Sequence, residues 1–337
     1  MTFTSRLVRA ARAIVRPGAS DSSVGADELA RRLRKLERQG GLILPLPGHG
    51  ETSARHERLY EISRIDVSLA RVAEAHTDAV AILAEANVSA REHALYGVWA
   101  SDGPKSRLTI DKNARGELVL NGVKRYCSGS SFLDAALVTA YAGDALLLID
   151  VPLDAKGLAV DTTEWASPAF ASTATGTVTF KNVHVSESQI IGPSGWYLSR
   201  PGFWHGAVGP AACWAGGAAG LVDAARALGK KDPHSRAQLG ALEAAAWGML
   251  AVLDRAGREI DADPMDTSQR ARQRALSARH LIERACTDVL DRFGRATGPQ
   301  LLAYDAGIAQ RHAEVGVYIR QSHAERDLES LAEPAGP

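Results

Sequence analysis

The chain has 337 residues, 45% of them hydrophobic and 23% charged, which is enough apolar material for a large domain or several subdomains. Its 39 basic and 39 acidic residues cancel to a formal net charge of zero, which argues against a strongly basic nucleic-acid-binding protein and against a highly charged disordered chain. The sequence contains no run of ~20 apolar residues, so a membrane span is not predicted. Cys127, Cys213 and Cys286 form no C-x-x-C pair, so neither a disulfide framework nor a metal site is predicted, and a cytoplasmic location is expected.

The first part of the chain is predicted to be a basic tail followed by helices. Residues 1–26 carry four arginines before Pro17 and Gly18, a pattern typical of a loose tail and linker or, alternatively, of an organelle leader or membrane-surface helix. An N-terminal helical domain is predicted over 27–94. Asp27 is the expected N-cap of its first helix, Thr52 starts the second, and another helical run follows from about Asp78.

Short strands are predicted in the middle of the chain, over 95–198. Asn121-Gly122 between two short apolar runs is typical of a type I′ hairpin turn. Further strands are predicted at 135–141, 145–151 and 175–185. The pattern indicates an antiparallel β-barrel or sandwich domain.

Long alanine-rich helices are predicted from 199 to 331. Asp232-Pro233 and Asp263-Pro264 are typical helix starts, with the acid as N-cap and proline in the first turn. Helices of this length and composition indicate close packing in a four-helix bundle. The predicted fold class is therefore α+β, with a helical domain, a β-domain and a bundle in chain order.

Three stretches in this order resemble motifs of the acyl-CoA dehydrogenase superfamily, and the resemblance extends over about 28–331. The stretches are Glu61-Ile62 with Asp66-x-Ser68-x-Ala70, then Leu120-Asn121-Gly122-x-Lys124-x-Tyr126-Cys127-Ser128-Gly129, then Phe180-Lys181-Asn182-Val183-x-Val185. The resemblance implies an FAD-binding fold in which the strand at 126–128 lies against the flavin ring.

The same resemblance implies which residues contact FAD. Tyr126 takes the place of the aromatic residue beside the ring, Ser128 supplies a polar group to its edge, and Cys127 packs between them. Upstream, the segment that matches the family's flavin-side contacts contains Trp99, Ala100 and Ser101. The family's pyrophosphate-binding arginine loop is shortened here, and Lys230, Lys231 or Arg236 could serve in its place.

The family's catalytic glutamate has no clear counterpart. Alignment on Arg311 puts Arg320 at the usual position of the base, and a guanidinium cannot be deprotonated in a protein. The other family position, on the first bundle helix, matches a stretch around His205 without a carboxylate. The substitute candidates are His205, His323 and Glu314, and histidines near the position of His323 occur in family branches that act as monooxygenases.

The resemblance implies an FAD-dependent oxidoreductase that dehydrogenates an acyl thioester, such as acyl-CoA, or a related acyl substrate. Two alternatives stay open: a flavin-dependent monooxygenase on the same fold, and a non-catalytic homologue that acts as a partner subunit. Family members assemble through their bundle helices, so a homodimer or homotetramer is expected. The expected ligands are a flavin and a small molecule, with no nucleic acid and no metal.

Overall fold

The computed structural model describes residues 22–102 and 106–332, so the predicted tail before residue 22, with its arginines and Pro17-Gly18, lies outside the described residues. The described chain is α+β and divides into two compact units. The sheet unit comprises residues 22–43 and 72–203, and the helical unit comprises 44–71 and 204–332. Within the described ranges, none of the helices combines the length and apolar character needed to cross a membrane.

The helices precede and follow the strands along the chain. In chain order they are α1 (Ser22–Arg38), α2 (Thr52–Ile65), α3 (Val67–Glu85), α4 (Trp196–Ser199), α5 (Pro201–Gly206), α6 (Gly209–Ala227), α7 (Pro233–Ala262), α8 (Ala271–Thr297), α9 (Gln300–Tyr304), α10 (Ala306–Tyr318) and α11 (Glu325–Ala332).

The described strands form one eight-stranded sheet in the order β6-β7-β3-β2-β4-β5-β8, with β1 added beside β4. They are β1 (Tyr96–Trp99), β2 (Leu108–Lys112), β3 (Leu118–Cys127), β4 (Ala135–Ala142), β5 (Ala145–Pro152), β6 (Leu158–Asp161), β7 (Gly176–Val185) and β8 (Ile190–Ile191).

The sheet corrects the expectation of an antiparallel barrel or sandwich. β4 pairs in parallel with both β1 and β2, so the sheet is mixed. In the described part of the chain, β6 and β8 at the two ends of this order are not hydrogen-bonded to each other, so the sheet is not closed. The parallel pairs arise because the segment between β3 and β4 crosses over β2 instead of turning back beside β3.

The predicted hairpin at Asn121-Gly122 is wrong, because both residues lie inside the continuous strand β3. Gly122 has a φ of +129°, and a Cβ there would lie 2.1 Å from the carbonyl oxygen of Arg107. The pairing of β3 with β7 shifts register between Leu120 and Gly122. The glycine therefore serves a β-bulge with close backbone approach, the other common reason for glycine within a strand.

Three helix boundaries also differ from the sequence expectations. α1 begins at Ser22, so Asp27 lies inside the helix and is not its N-cap. The run predicted from Asp78 belongs to α3, which starts directly after Asp66 and ends at Glu85. Asp263 does not start a helix: it accepts bonds from the backbone and hydroxyls of Thr267 and Ser268 in the loop between α7 and α8. Asp232 caps α7 as predicted, accepting from Ser235 N at 2.9 Å.

The sheet unit has a core on each side of the sheet. Alternate residues of β4 and β5 face opposite sides, so that Val138 and Ile149 belong to one cluster while Leu137 and Leu148 belong to the other. The second cluster includes Ile82 and Leu83 of α3. The sheet thus presents a rigid support for the loops at the end of β3.

The helical unit is built around the small residues of α6. A Cβ on Gly216 would lie 2.0 Å from the carbonyl oxygen of Tyr60, and one on Gly220 would meet Arg311 at 2.3 Å. Because glycine lets backbones approach this closely, α2 and α10 both pack directly on α6. The carboxylate of Asp261, at the end of α7, accepts from Gly50 N, Thr52 N and Thr52 Oγ1 and so caps the start of α2.

Candidate functional site

A left-handed residue ends the regular part of β3 and turns Tyr126 outward. Tyr126 has a φ of +61°, and the register of β3 on β7 shifts between Lys124 and Cys127. Ser128 N donates to Tyr126 O at 3.0 Å across this bend. The Tyr126 side chain is 57% exposed, unusual for a large aromatic residue. The bend leaves an aromatic face that a planar ligand can stack on.

Cys127 and Trp99 hold this bend from the inside. Cys127 is fully buried, and burial raises the pKa of its thiol to about 12, so it stays protonated. Trp99 is only 3% exposed, and its Nε1 donates to Ser128 O at 3.2 Å. Their side chains therefore position the 126–128 backbone and offer a ligand little surface.

The Ser128 hydroxyl is the polar group at this bend. It is 93% buried, with 7% exposure, and accepts a hydrogen bond from Thr175 Oγ1 at 3.0 Å. Thr175 Oγ1 lies 2.8 Å from Thr173 Oγ1, and Thr173 Oγ1 also lies 2.8 Å from Phe170 O. When Thr175 donates its proton to Ser128, the hydroxyl proton of Ser128 itself is available to a ligand.

A buried ammonium fixes the position of Ala100 and Ser101. Lys124 Nζ, with no exposed surface, donates to Thr139 Oγ1 at 2.8 Å, and Thr139 donates to Ala100 O at 3.3 Å. Lys124 also pairs with Asp102 at 2.7 Å. Although burial raises the pKa of Asp102, hydrogen bonds from Lys124 and Tyr141 bring it below the ordinary value. Ala100 is half-buried and Ser101 is exposed at the edge of this network.

The predicted pyrophosphate contact lies in the helical unit. Arg236 is exposed in the first turns of α7. Nearby Lys230 donates to Thr297 O at 3.0 Å and so ties the α6–α7 connection to the end of α8. Arg236 is available to solvent anions, whereas Lys230 already has a structural partner.

The three catalytic candidates occupy three different environments in the helical unit. His205 is 3% exposed at the end of α5, with Nε2 3.0 Å from Pro264 O, so that nitrogen carries the proton. His323 has a side chain 59% exposed before α11, with Nδ1 facing Asp327 Oδ1 at 3.4 Å. Glu314 is 3% exposed in α10 and accepts from Ser68 Oγ at 2.6 Å and Gln310 Nε2 at 2.9 Å.

Burial raises the pKa of Glu314 to about 7, and the charge of Asp66 acts in the same direction. The neighbouring Arg311 donates to the carbonyls of Ser63 and Ile65, at 3.0 and 2.6 Å, where α2 gives way to α3. Arg320, which the resemblance places at the position of the base, is paired with Glu283 at 2.8 Å. The carboxylate of Glu283 is therefore held in an ion pair, and the Glu283 side chain is only 8% exposed.

The sheet unit thus brings Trp99, Tyr126, Cys127 and Ser128 into one cluster, whereas the catalytic candidates and Arg236 are spread over the helical unit. Sequence reasoning missed Thr173 and Thr175, for which the hydroxyl-rich stretch at 172–175 was the available signal. Among the described residues, no three His, Cys, Asp or Glu side chains converge as a metal-binding group would require.

Comparison with solved structures finds the same fold in two monooxygenases and in a nitrososynthase. Methanesulfinate monooxygenase from Pseudomonas fluorescens superposes with a TM-score of 0.72 at 18% identity, over 93% of this chain and 96% of that one. Dibenzothiophene monooxygenase from Paenibacillus sp. A11-2, in complex with FMN and indole, superposes with a TM-score of 0.73 at 18% sequence identity. The match covers 92% of this chain and 95% of that one. Nitrososynthase from Micromonospora carbonacea var. africana superposes with a TM-score of 0.75 at 16% sequence identity. The match covers 95% of this chain and 98% of that one.

No family model matches the sequence, and no curated protein matches it. At these identities the structural likeness establishes the fold alone.

Proposed function

We propose that this protein is a flavin-dependent monooxygenase that takes reduced FMN and molecular oxygen and oxygenates a small organic substrate. The observation that carries the proposal is the bend at 126–128, where the exposed aromatic residue Tyr126 is followed two residues later by the buried hydroxyl of Ser128. A flavin ring needs both an apolar wall and a polar partner for its nitrogen edge, so these residues fit it. The monooxygenases that share the fold support the choice of reaction.

FMN suits the chain better than FAD. FAD would need a cationic site for the adenine-side pyrophosphate. Lys230 of the shortened α6–α7 connection is bound to Thr297 O, and only the solvent-exposed Lys231 and Arg236 offer further positive charge there. The dibenzothiophene monooxygenase structure contains FMN, which points the same way. Competition between FMN and FAD for the apoprotein tests this choice, and tighter FAD binding would contradict it.

When bound and reduced, the flavin supplies two electrons, with which one oxygen atom enters the substrate and the other leaves as water. We assign the accompanying proton handling to His323. Its ring is exposed and its Nδ1 faces the Asp327 carboxylate, which leaves Nε2 as the ring nitrogen that can exchange a proton. Trp99, Cys127 and the Lys124 network hold the 126–128 backbone and Ala100 in place.

His205 and Glu314 receive structural roles in this proposal. His205 uses Nε2 to hold the loop at Pro264, and Glu314 bridges α10 to α3 through Ser68. Acyl-CoA dehydrogenation is disfavoured because the base position carries Arg320, paired with a carboxylate of low exposure. A non-catalytic role is the remaining alternative, and failure to bind flavin would favour it.

An anaerobic and an aerobic experiment on the same preparation separate the reactions. Under nitrogen, the visible absorbance of FMN bound to the protein is followed after addition of butanoyl-CoA or hexadecanoyl-CoA; we expect no bleaching, and bleaching would indicate a dehydrogenase. In air, reduced FMN is added with indole or methanesulfinate as probe. We expect less hydrogen peroxide per oxygen consumed than free reduced FMN gives, and an equal yield would contradict the proposal.

We also propose that two or four copies assemble through the helical unit. Trp247 of α7 is 74% exposed, and Leu250 and Leu281 are 38% and 54% exposed. Glu243, one turn before Trp247, is already paired with Arg226 of α6. These exposed apolar side chains are therefore a surface that a second copy could cover. Light scattering on the Trp247→Glu variant should show a smaller assembly than the wild type, and an unchanged mass would contradict this interface.

A further inference from the structure

The side-chain hydroxyls of Ser128, Thr175 and Thr173 form a continuous row. Ser128 Oγ and Thr175 Oγ1 lie 3.0 Å apart, Thr175 and Thr173 lie 2.8 Å apart, and Thr173 reaches the carbonyl of Phe170 at 2.8 Å. All three residues are at least nine-tenths buried. The row is therefore largely shielded from bulk water.

Counting protons shows that the row has two arrangements. Each hydroxyl carries one proton, so Thr175 donates either to Ser128 or to Thr173. In the first arrangement Thr173 donates to Thr175 and Thr175 to Ser128, and the proton of Ser128 faces a ligand. In the second arrangement Thr173 donates to Phe170 O and Thr175 to Thr173. Ser128 then donates its own proton to Thr175 Oγ1, and its lone pairs are open to a donor on the ligand.

We propose that the chain Thr173–Thr175–Ser128 reverses its hydrogen-bond direction so that Ser128 serves a ligand edge that is an acceptor in one redox state and an N–H donor in the other. The inference rests on the flavin proposed above. The nitrogen edge of oxidised flavin accepts hydrogen bonds, and in reduced flavin it carries a proton. Thr173 and Thr175 are positioning residues, because they act on the ligand through Ser128.

The two arrangements give the two threonines different effects. Removal of the Thr173 hydroxyl leaves Thr175 free to donate to Ser128 but removes its alternative acceptor. Thr173→Val should therefore weaken binding of reduced FMN by about threefold to tenfold, the range for one lost hydrogen bond, with little change for oxidised FMN. Removal of the Thr175 hydroxyl leaves Ser128 without its partner, so Thr175→Val should weaken binding of both forms.

The experiment is an anaerobic titration of wild type and variants with oxidised FMN and with dithionite-reduced FMN. The ratio of the two dissociation constants is the readout, since a merely structural defect lowers both affinities together. Thr173→Ser should restore the wild-type ratio, and Thr179→Val, an exposed residue of strand β7 just after Thr175, should leave it unchanged. In a Ser128→Ala background, Thr173→Val should have no effect on the ratio.

Two results would overturn the inference, and they differ from each other. If the wild type binds both forms and Thr173→Val changes the two affinities equally, the reversing chain is refuted while the flavin proposal stands. If the wild type binds neither form, the proposed function fails and the inference falls with it.

Discussion

Glu314 of α10 accepts a hydrogen bond from Ser68 of α3 at 2.6 Å, and both residues are buried in the helical unit. The bond from Gln310 reaches the same carboxylate oxygen, Oε1. Burial raises the pKa of Glu314 from 4.5 to about 7, so the folded protein holds this proton more tightly than the unfolded chain does. The pair therefore makes the stability of the helical unit depend on pH.

The first prediction concerns that dependence. Stability from the protonated carboxyl is complete below the unfolded pKa of 4.5 and is lost as the pH rises through about 7. At ~1.4 kcal/mol per pK unit, the loss is about 3 kcal/mol. Glu314→Gln keeps an oxygen for both hydrogen bonds and has no charge to bury. Urea unfolding at several pH values should show that Glu314→Gln lacks this loss and equals or exceeds the wild type above neutrality.

The matched control is Glu329→Gln, an exposed acid of α11. Its unfolding free energy should follow the wild type at every pH. If Glu314→Gln also followed the wild type, burial of an ionisable carboxyl at this position would be refuted.

The second prediction concerns the contact between α2 and α6. A methyl group on Gly216 would lie 2.0 Å from Tyr60 O, a backbone atom that moves only with its helix. Gly216→Ala should lower the free energy of unfolding by about 3 kcal/mol through overpacking. Gly248→Ala, on α7 with no atom within 4 Å of its added methyl, should instead raise it by about 0.5–1 kcal/mol. Equal effects of the two substitutions in chemical denaturation would contradict this packing.

The third prediction compares two exposed histidines beside carboxylates. His323 and His184 are 59% and 60% exposed, and their Nδ1 atoms lie 3.4 and 3.6 Å from Asp327 and Glu117. If His323 moves the proton, His323→Ala should lower oxygenated product per reduced FMN by about 10²-fold, the low end for a lost acid–base group. FMN affinity should stay unchanged. His184→Ala should match the wild type in both assays, and a similar loss in both variants would remove His323 from the mechanism.

Much of the local structure was predictable because its causes are local. β4, β5 and β7 follow their apolar patterns to within about two residues, and Asp232 caps α7 as its sequence indicates. Asn121-Gly122 misled because the reason for Gly122 is Arg107 O, which comes close only when β2 and β3 pair. The break between α2 and α3 at Asp66 could not be predicted, because the apolar periodicity continues across it. The residue that binds the backbone carbonyls of Ser63 and Ile65 at this break is Arg311, which lies far along the chain.

The candidate site was predictable only at Tyr126 to Ser128, where a short motif carries it. Thr175 contacts Ser128 from 47 residues away, so no local pattern could pair them. The burial of His205 and Glu314 likewise depends on partners distant in sequence, Pro264 and Ser68. His205 and Glu314 were candidates only because their side chains can carry a proton, whereas their roles depend on the residues that pack around them.

The most direct measurement is an equilibrium titration of FMN into the protein, followed by quenching of flavin fluorescence, for the wild type, Tyr126→Ala and Tyr304→Ala. Both tyrosines are exposed, 57% and 88%, and only Tyr126 lies at the bend. The account predicts saturable quenching at one FMN per chain, an about tenfold weaker affinity for Tyr126→Ala from the lost stacking, and no change for Tyr304→Ala. Absence of binding to the wild type, or equal affinities for wild type and Tyr126→Ala, would contradict a flavin held against Tyr126.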